Sequence, residues 1–145
     1  MKSGIFPILA FERDNSEFVD NGTGFIINSD GYIITAGHVI SNNGWKYYAN
    51  IGNELYPIKE VYREYLSKDD QMPPSYKDLF IGRIDCQINQ EDIVMFSEAI
   101  KKDEYYSACG YSSRNLTTSP SKLLTFDVNN ENSVCRQLNY FELKY

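Results

Sequence analysis

The chain has 145 residues, with 14 Lys and Arg against 20 Asp and Glu and a formal charge of −6. That length holds one compact domain or two very small ones, and an acidic balance without any Lys/Arg run argues against a nucleic-acid partner. Cys86, Cys109 and Cys135 are an odd set without C-x-x-C spacing, which points to neither a zinc site nor a disulfide framework and fits a reducing, cytoplasmic setting.

Ile5 to Phe11 is apolar and runs straight into Glu12-Arg13-Asp14 with no small-residue cleavage site. It reads as a first strand rather than a signal peptide, is too short to span a membrane, and carries Pro7, which places it at a sheet edge. Asp14 to Asn21 is polar and reads as a loop. Gly22 to Ile40 then has the pattern of a β-hairpin. Phe25 to Ile27 and Tyr32 to Ile34 are aromatic or β-branched, and Asn28-Ser29-Asp30-Gly31 between them is turn chemistry with Gly31 available for positive φ. Gly22 and Gly24 allow strands to cross closely. A dinucleotide-binding loop is disfavoured, because Ile27 stands where its third glycine belongs and no helical pattern follows.

The second strand of the hairpin ends in Thr35-Ala36-Gly37-His38, small residues leading to the one histidine of the chain. Ser41-Asn42-Asn43-Gly44 is a turn, Trp45 to Ile51 an aromatic strand and Gly52-Asn53 another turn. Leu55 to Leu66 alternates in a strand-like way, although Ile58, Val61, Tyr62 and Tyr65 also fit helical spacing. After a loop containing Pro73-Pro74, the stretch Asp78-Leu79-Phe80-Ile81-Gly82-Arg83-Ile84-Asp85 is a strand introduced by an aspartate.

These segments resemble the trypsin/chymotrypsin-like serine peptidases of bacterial and intracellular type. Gly22 to Val39 follows G-[ST]-G-F-I-I-x-x-x-G-Y-I-[IL]-T-x-x-H-V, and Asp78 to Asp85 follows D-[LIV]-A-[LV]-L-[KR]-[IV]-[DE], with Phe80 and Gly82 as departures. The resemblance implies His38 as general base and Asp78 as the carboxylate that orients it, with Asp85 or the Asp69/Asp70 pair as distant alternatives. No metal or organic cofactor is implied. A carboxylate on Nδ1 of such a histidine sets the tautomer, frees Nε2 to take a proton and stabilises the imidazolium.

Beyond Asp85, Glu91 to Ile100 reads as an inter-barrel connector. Asp103 to Ser113 is a strand whose Cys109-Gly110-Tyr111-Ser112 is similar to the family's G-Y-P turn, and Lys122 to Val128 and Ser133 to Tyr145 are further strands. The family's Gly-x-Ser-Gly nucleophile is not among these residues. Gly110 is the last glycine, Ser112 fails the G-x-S-x-G elbow, and neither Cys109 nor Cys135 has glycines placed for an oxyanion turn.

The expected fold is all-β: a chymotrypsin-like, six-stranded antiparallel barrel with strands at 5–11, 23–28, 31–36, 46–51, 55–64 and 79–84, plus an incomplete second barrel. Expected boundaries are 1–88 for the first barrel, 89–103 for the connector and 104–145 for the start of the second. The expected function is that of the front part of a trypsin-like endopeptidase acting on a protein or peptide, its serine lying in missing sequence or in a second chain. A catalytically inactive module that binds peptide or a protein partner is the alternative. Neither nucleic acid nor membrane is an expected partner.

Overall fold

The computed structural model describes residues 4–12, 18–42, 44–64, 78–96, 107–111, 114–115 and 123–127. The expected loop around Pro73-Pro74, the Asp69/Asp70 pair, Ser112, Cys135 and the strand at 133–145 lie outside the described residues.

Ten strands are present among them: β1 (Ile5–Phe11), β2 (Phe18–Ile26), β3 (Tyr32–Thr35), β4 (Lys46–Ile51), β5 (Glu54–Pro57), β6 (Lys59–Arg63), β7 (Phe80–Arg83), β8 (Ser107–Tyr111), β9 (Arg114–Asn115) and β10 (Leu123–Asp127). The main sheet runs β5-β4-β1-β2-β3-β7-β6, every pair antiparallel. Its two ends are consecutive pieces of one extended segment. Pro57 lacks the N–H needed to continue a ladder, and at Ile58 the chain passes from pairing β4 (Pro57↔Tyr48) to pairing β7 (Lys59↔Arg83). The Ile58 N–H still reaches the Tyr47 carbonyl at 3.0 Å. Residues 54–63 thereby curl the sheet onto itself as a six-stranded, chymotrypsin-like barrel, and the alternative helical spacing over 58–65 is not used by Lys59–Arg63.

Phe6, Ile8, Ile26, Ile33, Phe80 and Ile84 are the largest fully buried side chains and fill the interior. Tight turns set the register around them. Asn28 Oδ1 accepts from the N–H groups of Asp30 and Tyr32, each at 3.1 Å. Gly31 has φ +81°, and a Cβ there would lie 2.2 Å from the Ile84 carbonyl oxygen, so only glycine fits between hairpin and β7.

Two expectations are corrected here. β1 is not an edge strand, because it pairs with β2 on one side and β4 on the other. Proline is tolerated because the bond from Ile26 N–H to the Gly4 carbonyl sets the ladder phase, so the nitrogen of Pro7 faces away from β2. On that other side, pairing with β4 starts only at Ile8. The polar stretch before Gly22 is not loop throughout either. Phe18 pairs with Phe11 across a bulge-shifted ladder, their ring centroids 5.1 Å apart, and this cross-strand aromatic contact extends β2 by five residues ahead of position 23.

Past the barrel, Gln90–Asp92 form a short 3₁₀ turn and Val94 N–H bonds the Ile26 carbonyl at 2.8 Å, which lays this segment against β2. β8 and β10 pair as a separate two-stranded ladder, while β9 pairs with β2. Among the described residues no helix is long and apolar enough to cross a membrane.

Candidate active site

β3 ends at Thr35, one turn before the histidine. Thr35 is buried, and its hydroxyl donates to the Thr23 carbonyl at 2.7 Å. Next comes a 3₁₀ turn over Gly37–Ile40, so His38 sits in that turn and not in the strand itself. Such a short turn leaves most of its backbone groups without internal partners, and other parts of the fold meet them. The turn's own bond runs from Val39 N–H to the Ala36 carbonyl at 3.1 Å. The Asn21 amide donates to the Val39 carbonyl and the Arg63 guanidinium to the Ile40 carbonyl. Asn42 N–H reaches the Tyr47 hydroxyl at 3.0 Å. Beneath the turn, a Cβ on Gly22 would lie 2.7 Å from a methyl of Val39. Glycine is what lets β2 pass so close under the histidine.

The His38 N–H goes to Asp78. One carboxylate oxygen of Asp78 accepts that backbone N–H at 2.7 Å, and the other meets His38 Nδ1 at 2.6 Å. A carboxylate only accepts, so Nδ1 holds the proton and Nε2 presents its lone pair. The strand that Asp78 introduces holds the aspartate in place, since β7 is clamped between β3 (Thr35↔Phe80) and β6 (Arg63↔Phe80). Exposure divides the pair. The Asp78 side chain keeps 21% of its surface in solvent and the imidazole 60%, so the carboxylate is shielded while the outer edge of the ring is open. Burial pushes the Tyr47 phenol above its usual value, with the Asn42 bond and the Arg63 charge pulling in the opposite direction.

His38 and Asp78 are thus brought together, 40 residues apart in sequence. Asp85 is not part of the cluster; it lies beyond the opposite end of β7 and lines a shallow recess with Lys59, Arg83 and Ile84. Cys86 is half-buried and Cys109 exposed, both as free thiols. Thr23 joins the site to the second ladder: its hydroxyl accepts from Tyr111 N–H at 2.6 Å and donates to the Tyr111 carbonyl at 3.2 Å. Among the described residues no three His, Cys, Asp or Glu side chains gather as a metal site. Asn21 and Arg63 escaped the sequence reading because each acts on the backbone of a distant segment, and Tyr47, which bonds Asn42 five residues before it, because no local motif marks the contact.

No protein-family model and no curated protein matches the sequence. Among solved structures the chain is similar to the HtrA-type protease AlgW with decapeptide, at a TM-score of 0.58 and 11% identity, with 87% of this chain covered. The match spans 42% of that protein's chain. The similarity is one of fold, that of an antiparallel chymotrypsin-like β-barrel.

Proposed function

We propose that the chain is the histidine- and aspartate-bearing part of a trypsin-like serine endopeptidase, hydrolysing peptide bonds through an acyl-enzyme, with its serine outside these 145 residues. The observation that carries the reading is the two-pronged grip of Asp78 on His38, one oxygen on the backbone N–H and one on Nδ1. A buried structural carboxylate needs no imidazole, and a surface histidine needs no fixed tautomer. Their pairing at the rim of a barrel, with the outer ring edge open, fits a base that has to meet a nucleophile and a substrate.

In this mechanism the serine Oγ attacks the scissile carbonyl as Nε2 of His38 takes its proton. Asp78 stabilises the imidazolium that results. The same proton then passes to the leaving amine, and water repeats the sequence to release the acyl group. The oxyanion donors belong to the serine's own segment. The HtrA-type protease that shares this fold is described with a decapeptide, which supports a peptide as the substrate class here.

The coding sequence beyond Tyr145 tests this. An in-frame continuation with Gly-x-Ser-Gly, giving an extended protein whose peptide hydrolysis disappears on His38→Ala, supports the reading. Hydrolysis by the 145-residue protein itself, lost in His38→Ala, would place a nucleophile inside the chain. An extended protein that binds peptide and never cleaves it would leave an inactive peptide-binding module.

A further inference from the structure

We infer that Arg63 is a positioning residue that holds the His38 turn at working distance from Asp78. The inference rests on the reading of those two residues as a catalytic pair. Arg63 closes β6, and its side chain reaches both segments that the pair occupies. One guanidinium N–H donates to the Ile40 carbonyl, at the end of the turn that carries His38. The guanidinium carbon lies 5.2 Å from the centroid of the Phe80 ring, two residues after Asp78. Phe80 is 1% exposed, so the cation rests on a fixed aromatic wall. On the next residue, Glu64 N–H bonds the Leu79 carbonyl at 2.9 Å, which locks β6 to the strand entrance on the same side.

The other contacts to the turn do not do this job. Asn21 ties it to β2 and Tyr47 ties it to β4, neither of which carries the aspartate. Apart from Asp78 itself, Arg63 is the side chain among the described residues that bonds the turn and also packs on the Asp78 strand. Glu60 accepts from Nε of Arg63, which orients the plane of the guanidinium. Lysine has no planar fork and cannot stack on Phe80, donate to Ile40 and pair with Glu60 together.

His38 is the one histidine of the protein, so imidazole NMR of the full chain reports this ring without assignment. The wild-type chain is expected to show a deshielded Nδ1 proton that Asp78→Asn removes. Arg63→Met keeps the apolar stem and removes the donors. It is expected to speed exchange of that proton with water about tenfold, the effect of losing a charge-assisted bond. Arg63→Lys should fall between the two, and Glu60→Gln should stay near wild type. Ile84→Val, a core truncation past the far end of β7 beside Gly31, serves as a control of lowered stability and should leave the exchange rate unchanged.

A wild-type exchange rate in folded Arg63→Met overturns the inference while leaving the pair intact. If Arg63→Met does not fold, a wild-type rate in Arg63→Lys overturns it equally. Faster exchange in Ile84→Val matching that in Arg63→Met also overturns it, because general loosening would then account for the effect. A wild-type chain with no such proton, and a spectrum indifferent to Asp78→Asn, overturns the catalytic-pair reading and this inference with it.

Discussion

Gly22 supports the histidine turn from below, and substituting it tests how tightly that turn is seated. Gly22 has no left-handed backbone to protect, so alanine brings only its methyl group. That carbon would lie 2.7 and 2.8 Å from the two Cγ atoms of Val39, against about 3.5–4.0 Å for relaxed carbon contacts. Val39 is 6% exposed and, being β-branched, has little rotamer freedom with which to yield. Overpacking of this kind costs about 1–3 kcal/mol, and the smaller unfolded-state entropy of alanine returns about 0.4–1 kcal/mol. Gly22→Ala should therefore destabilise by about 1–2 kcal/mol, lowering the urea midpoint by about 0.5–1 M for a slope near 2 kcal/mol per M.

Val39→Ala alone should cost about 1.5–3 kcal/mol for its two buried methyls. The double variant no longer has the clash, so its loss should fall short of the sum by about 1 kcal/mol or more. Urea unfolding of the four proteins closes the cycle. Losses that add to within about 0.3 kcal/mol would refute the close packing of Gly22 on Val39.

Asp78→Asn replaces an acceptor with an amide that can donate to Nδ1, so the ring proton should move to Nε2. Nitrogen-15 shifts of the single histidine read this directly, and an unchanged tautomer would deny the contact. In a serine-bearing extended protein the same change should lower kcat by about 10⁴-fold. Thr23→Val removes both bonds to the Tyr111 main chain and should speed exchange of that amide about tenfold, with the β1–β2 ladder unaffected; equal protection would show that the clasp is idle. Because burial raises the Tyr47 phenol, its contribution to stability is intact below the ordinary phenol value of about 10 and is lost as pH rises past it, the unfolded chain releasing its proton first. Tyr47→Phe should thus be less stable near neutrality, by about 1 kcal/mol for the lost Asn42 bond. It should also lose less stability between pH 8 and 10.5, as urea titrations at the two pH values would show.

The barrel strands were legible because each is a short β-branched or aromatic run between turn residues, as at Tyr32–Thr35 and Lys46–Ile51. What composition hid was decided by pairing. Phe18 sits in a polar stretch yet is strand because Phe11 lies opposite, and Pro7 marks an edge in isolation yet lies inside the sheet because its nitrogen faces the unpaired side. His38 and Asp78 were singled out through the resemblance of their two segments to family motifs, and the structure brings the two side chains into contact. The side chains that bond the His38 turn were not legible: Asn21 and Arg63 each serve a carbonyl on a remote segment, and a residue's neighbours in sequence carry no trace of such a contact.

The arrival of Asp78 with β7 also fixes when the site can exist. Its carboxylate precedes the strand that slots between β3 and β6, the last of the barrel to leave the ribosome. A nascent chain that has laid down every earlier strand still has an unoriented imidazole. Contacts spanning 40 residues of chain form late, since the intervening loop must first be closed. The contact between His38 and Asp78 is thereby tied to closure of the barrel and cannot precede it.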